Sequence, residues 1–295
     1  MEEKLELELL SKLKAALLSA SISKNLVITE DDFGSYRWNE SKKREFYLYD
    51  YRKNLFEIPE NGIHLGTGIE AVRSSAAMIF NLLGQKELII GENKYTSPEY
   101  EAEFKAIKDE NEITHNAHLD VVFYSENKTE LHAIEAKMME WINSPKNLSP
   151  AYLKEEMYVD DNKKSSEFIQ FFNSLIKKEK QYADCRFAHK TERYDAIQMT
   201  IHILALYNYI CKGKNKSVKK VLLHNIVWKY ECEDYKTEER EAQDFIKKAN
   251  EVFSPLFEEL GVSFKVEYET FQDFKNRIDF LENTARLQYL KRYEI

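Results

Sequence analysis

The chain is poor in residues that break regular structure: its 295 positions hold only 8 Gly and 5 Pro. That excludes a collagen-like repeat, Gly-rich linkers and Pro-rich disorder. Cysteine is scarcer still. Cys185, Cys211 and Cys232 show neither CxxC spacing nor a histidine at finger spacing, which excludes a disulfide scaffold and a structural zinc finger. No apolar run approaches the roughly 18 residues of a membrane span. Residues 1–23 mix acids, lysines and leucines where a signal peptide would carry an uncharged apolar stretch. The expectation is a cytoplasmic protein with no membrane partner. An excess of positive charge is also missing: 43 Lys and Arg face 51 Asp and Glu, for a net charge of −8. This excludes the uniformly basic surface of a histone-like DNA coater. It leaves room for a local basic groove and for carboxylates clustered around a metal.

What is present is enough to build a sizeable core, with 43% apolar and 13% aromatic residues. The length exceeds a usual domain of about 100–200 residues, and the pattern suggests three parts. Residues 1–66 hold an amphipathic helix over about 3–20 (Leu5, Leu9, Leu10, Leu13, Leu17) and an irregular aromatic segment packing on the core. Residues 67–228 form that core, with an insertion at about 143–192. Residues 229–295 form a C-terminal α/β extension. Within the core, Thr67 and Gly84 bracket an apolar helix. Tyr100–Ala106 alternates with period two, and Leu119–Tyr124 and Leu131–Met139 flank a polar turn, as in an antiparallel hairpin. Helices are expected at about 166–180, 193–211 and 237–260, with strands at 218–228 and 262–270. The whole is α/β with a mixed sheet.

The chemistry concentrates on the hairpin. Asp120 opens its first strand, and Glu135 and Lys137 lie two apart in its second, so their side chains leave one face. Ile134, Ala136 and Met138 leave by the other face and belong to the core. Burying a carboxylate and an ammonium in an apolar strand is costly unless they are paired or bound to a metal. Asp120 falls across from Glu135 or near it. Two converging carboxylates suit Mg²⁺, and a lysine beside it could serve an attacking water. Acid–any–Lys alone says little, since it recurs at Glu40–Lys42, Glu103–Lys105, Glu126–Lys128, Asp234–Lys236 and Asp273–Lys275. Context separates Glu135–Lys137 from these. The competing reading is a structural ion pair on a half-exposed sheet face. His115, His118 and His132 gather around the hairpin, but His132 points opposite to Glu135, which reads as satisfied or surface histidines rather than zinc ligands. Arg73, Lys94, Arg186, Lys190, Arg193 and residues 212–220 offer cations for a phosphate path, or simply solvated faces.

Asp120, fourteen intervening residues and then Glu135-Ala-Lys137 resemble the PD-(D/E)XK nuclease superfamily. Residues 73–84 are similar to the small-residue first helix of some of its bacterial members. The resemblance covers little more than half the chain. It implies a restriction-endonuclease-like αβββαβ core with a mixed central sheet and helical additions. It also implies a DNA partner, Mg²⁺ (or Mn²⁺ in its place) on Asp120 and Glu135, and Lys137 serving the nucleophilic water. A further acid is common in the superfamily; Glu70, Glu101 and Glu103 compete, and alternation favours Glu103. Gln198 occupies the place of a Gln found in the following helix of several members. Leu119 replaces the motif's Pro, and His202 stands where the Tyr of a Gln–three–Tyr motif would be. Many members are dimers, so a homodimer belongs to what the resemblance implies, though no dimer face is readable. The expected activity is Mg²⁺-dependent hydrolysis of DNA phosphodiesters. The alternatives are a non-catalytic nucleic-acid-binding or regulatory protein on the same fold and a metal-dependent hydrolase of another substrate.

Overall fold

The computed structural model describes residues 75–83, 87–90, 93–109, 115–142, 147–182, 185–213 and 217–279. It also describes Tyr293, positions of an N-terminal helix between Leu5 and Ala16, and a small hairpin of β1 (Ile28–Glu30) and β2 (Tyr36–Trp38). Thr67, Glu70, Arg73 and Gly84 lie outside the described residues. Helix α1 (Ser75–Leu83) is followed by β3 (Glu87–Ile90), β4 (Asn93–Lys105), β5 (Asn116–Ser125) and β6 (Glu130–Lys137). Then come α2 (Ser165–Leu175), the ribbon β7 (Ile176–Gln181) and β8 (Phe187–His189), α3 (Ala196–Cys211) and β9 (Lys220–Val227). The chain continues through α4 (Glu233–Glu258), β10 (Ser263–Thr270), α5 (Phe271–Asn276) and β11 (Ile278–Asp279).

The result is an α/β fold around one mixed sheet of seven strands, ordered β10-β9-β6-β5-β4-β3-β11. Strands β6, β9 and β10 run parallel, and the remaining neighbours are antiparallel. Parallel pairing demands long crossovers; one carries α2, the ribbon and α3, and the other is α4. Strands β10 and β11, both from the C-terminal segment, extend opposite edges of the same sheet. Among the described residues, no helix is long and apolar enough to cross a membrane.

Each face of the sheet has its own core. Helices α2, α3 and α4 cover one, with Phe168, Phe172, Leu204, Phe245 and Phe253 packed on Leu131, Ala133 and Leu223. Helix α1 and the N-terminal helix cover the other, with Ile79, Leu82, Leu9 and Leu13 near Phe123, Ile134 and Ala136. Helix α3 is apolar nearly all round, which fits its position between the sheet and neighbouring helices. Its N-cap is Asp195, whose side chain accepts from the Gln198 amide; the helix therefore begins at Ala196, not near Arg193. The helix expected to run on to Lys180 stops at Leu175. Its apolar stripe ends there, Ile176 adopts extended backbone, and the Lys-rich run that follows pairs with β8.

Candidate functional site

Three elements converge on the α3 side of the sheet. Strand β6 alternates faithfully: Leu131 and Ala133 face α3, whereas Ile134 and Ala136 face α1. Glu135 therefore also points at α3, with Lys137 beyond it. Glu135 is almost fully buried, and its carboxylate is approached from three directions. Lys137 Nζ donates to Oε1 at 2.7 Å, Gln198 Nε2 donates to the same oxygen at 2.8 Å, and His202 Nε2 lies 3.2 Å from Oε2. Lys137 Nζ also donates to Gln198 Oε1 at 2.9 Å, closing a ring of lysine, glutamate and glutamine. Gln198 and His202 are one helical turn apart, so both reach the same strand position.

Asp120 joins from β5. The hairpin ladder ends at Val121–Ile134, so the next cross-strand position sets Asp120 against Glu135. Here the Asp120 side chain takes over from the backbone, and its Oδ2 accepts from the Ala136 amide at 2.6 Å. On the other side of Asp120, the β4–β5 pairs Tyr100–Val121 and Ala102–Leu119 leave Glu101 as its opposite number. Both strands change face at this point. Tyr100 and Val121 pack in the α1 core, whereas Ala102 and Leu119, two residues away, pack in the α3 core. A regular strand keeps positions two apart on one face. The switch passes through Glu101, whose φ of 50° lies in the left-handed region, a conformation that costs a non-Gly residue on the order of 1 kcal/mol or more.

This switch corrects one expectation. Beyond it, Ala102 and Phe104 face α3, and Glu103 does not. Glu103 is exposed, bonded to the Asn116 side chain, and lines a cleft of about 470 Å³ with Lys105, Tyr124, Tyr209 and Lys212. The acid that completes the cluster is Glu101. His202 likewise shows in the sequence only as a missing tyrosine. The signal for Glu101 is hairpin register, because the residue opposite Asp120 can be counted once the β4 pairing is known; nothing in the local sequence foretells the left-handed residue. His118 is exposed, and His132 is buried on the α1 side, away from Glu135.

Electrostatically the cluster is unbalanced. Burial would raise the Glu135 pKa, but Lys137 and His202 outweigh it and hold Glu135 well below the usual carboxylate range. Burial would likewise lower Lys137, yet Glu135, Glu140, Asp195 and Asp120 push it above the ordinary lysine value. The other two acids go the opposite way. Burial, then repulsion from Glu135 and Glu101, raises Asp120 well above its normal range. Burial and Glu135 raise Glu101 to about 7. Glu101 Oε1 is buried and makes no hydrogen bond. Among the described residues no group of three His, Cys, Asp or Glu side chains is arranged as a ready metal cage. A hard cation that keeps most of its waters needs only one or two carboxylates. The repulsion among Asp120, Glu101 and Glu135, and the orphaned Glu101 oxygen, are what such a cation would relieve.

Comparison with protein-family models, with curated proteins and with solved structures returned no match.

Proposed function

We propose that the protein is a Mg²⁺-dependent nuclease acting on DNA, with a restriction-endonuclease-like core and its site at Asp120, Glu135, Lys137, Gln198 and Glu101. One observation carries the reading. A single register position across three strands and one helix gathers three acids, a lysine and a glutamine in a cluster centred on the buried Glu135, its other members half-buried, on an otherwise apolar sheet face. A structural ion pair would need only Glu135 and Lys137. It would not call for two further acids whose charges repel one another, nor for a left-handed residue in mid-strand.

In this reading Asp120 and Glu135 hold the ion, with Glu101 beside them, and the bound ion would polarise the scissile phosphate and acidify a water. The chain's own residues do the rest. Lys137 places a positive charge next to the acids, where it offsets charge on a phosphate and holds a water by hydrogen bonding. Gln198 bridges Lys137 and Glu135 and fixes both rotamers. The Asp195 cap anchors Gln198 at the start of α3.

The test is cleavage of supercoiled plasmid and labelled duplex DNA in Mg²⁺, Mn²⁺ or EDTA. The wild-type protein should cut only with a divalent ion, and Lys137→Ala should lower the rate by about 10²–10⁴ while DNA binding persists. Failure to cut with either metal, or equal cutting by the variant, refutes the reading. One observation favours a second interpretation. Glu135 Oε1 is already engaged by Lys137 and Gln198, and His202 Nε2 stands 3.2 Å from Oε2 without a hydrogen bond between them. A non-catalytic protein on this fold would keep that closed ring, and it would bind DNA without cutting it under any metal.

A further inference from the structure

The crossover between β6 and α3 carries a feature that the acid cluster does not use. Strands β7 and β8 form a two-stranded sheet of their own, apart from the seven-stranded one. After Ile176 every described residue of β7 and the turn is exposed, from Lys177 to Tyr182, and Cys185 and Arg186 follow suit. A strand exposed at five consecutive positions, Lys177 to Gln181, has neither face packed on the body, so the ribbon stands out from it. Its base is tied down: Ile176 and Ala188 are buried, Leu148 bridges to Phe187, and Lys190 Nζ donates to the Ser174 carbonyl at 2.8 Å.

The ribbon's composition is the reverse of the chain's. Residues 176–190 hold five Lys or Arg against two acids, a net +3 within a protein of net −8. The pairing then steps from Lys177–Ala188 to Gln181–Phe187, so Lys178, Glu179 and Lys180 bulge out of the ladder. Bulges of this kind re-aim side chains. Among the described residues, Lys177, Lys178 and Lys180 take part in no ion pair; Lys180 lies 5.7 Å over the Tyr182 ring at the tip. Unpaired lysines on a strand without an apolar face do nothing for folding. They are suited to a polyanion. A two-stranded ribbon is also the size of element that the major groove of duplex DNA admits. The ribbon leads within a few residues to Asp195 and Gln198, so what it grips is held by the same segment that carries part of the acid cluster.

We infer that the β7–β8 ribbon is a docking arm for the phosphate backbone of duplex DNA, with Lys177, Lys178 and Lys180 as its contacts. The inference rests on the nuclease reading for the identity of the polyanion, but binding and cutting can be measured apart. The probe is a fluorescein-labelled 20-bp duplex of arbitrary sequence, titrated with wild-type protein in EDTA across a KCl series. Changing Lys177, Lys178 and Lys180 together to Gln should weaken binding at least tenfold at low salt. It should also make the slope of log K against log[KCl] shallower by about two to three, roughly one for each phosphate no longer neutralised. The melting temperature should not move, because all three side chains are exposed. Lys247→Gln/Lys248→Gln on α4, also exposed, should change the slope by less than half a unit. An unchanged slope in the ribbon variant, an equal loss in the α4 variant, tighter binding of a single strand than of the duplex, or no duplex binding by the wild-type protein each overturns the arm. If the arm behaves as expected and no metal supports cleavage, the arm stands and the nuclease reading falls.

Discussion

Strand β6 presents a polar group to each face of the sheet, and the two are treated in opposite ways. Toward α3 it offers Glu135, a full charge met by Lys137, Gln198 and His202 and crowded by two more acids. Toward α1 it offers His132, fully buried among rings: Tyr95 and Phe123 contact it, and His224 stacks on it at 5.5 Å with an interplanar angle of 12°. His132 Nε2 and His224 Nδ1 are 3.4 Å apart, and His224 Nε2 lies 3.3 Å from Glu269 on β10. Burial, reinforced by His224, Arg277 and Lys220, drives the His132 pKa well below its ordinary value. The α1 side thus accepts a polar ring by keeping it neutral. The α3 side keeps its charges and leaves some of them in conflict. A protein that needed only a core would use the first solution twice.

The largest expected effect comes from breaking the charged side. Lys137→Ala leaves Glu135 buried without its cation and should cost about 3–5 kcal/mol of stability at pH 7, read by urea unfolding. The double change Glu135→Gln/Lys137→Met removes both charges and should recover most of that loss. If the single and double variants lose equally, the pair is not the electrostatic centre of the cluster. On the neutral side, wild-type stability should fall as pH drops. A histidine whose folded pKa is depressed takes up protons first in the unfolded state, so its contribution is nil above about 6.5 and unfavourable below it. Between pH 6.5 and pH 5 this amounts to about 2 kcal/mol. His132→Phe keeps the ring packing and should flatten that slope, seen as melting temperatures that converge on or exceed those of the wild type at pH 5.

How much of this contrast is legible in the sequence follows from which forces are local. The hairpin, the Glu135–Lys137 face and the apolar α3 with Gln198 are readable because period-two and period-3.6 patterns are written in contiguous residues. The end of α2 is not, because Lys177-Lys-Glu-Lys180 has ordinary helix propensity, and only pairing with β8 makes it a strand. Strands β3 and β11 escape because at four and two residues they carry no period, and the sheet edge defines them. Strict alternation favours Glu103 over Glu101, but it fails where the backbone turns left-handed. Strain of that kind depends on what surrounds it and leaves no mark in the local sequence.

The two acids make the smallest and sharpest comparison, since they lie two residues apart on one strand. Glu101 has a folded pKa raised from 4.5 to about 7. An acid shifted upward costs nothing below its unfolded pKa, and the cost grows as pH rises through the window between the two values. Glu101→Gln should therefore match the wild type at pH 4 and exceed it by about 1–3 kcal/mol at pH 8, allowing for partial exposure. Millimolar Mg²⁺ should shrink that gain, because an ion among the carboxylates would already have relieved the repulsion; a gain indifferent to Mg²⁺ would count against a cation there. Glu103→Gln is the control. Its carboxylate is exposed and bonded only to the Asn116 side chain among the described residues, so the change should alter stability by no more than about 0.5 kcal/mol at either pH and leave DNA cleavage unchanged. Should Glu103→Gln abolish cleavage while Glu101→Gln does not, the strand does not switch faces at Glu101 in solution, and the cluster must be redrawn around the other acid.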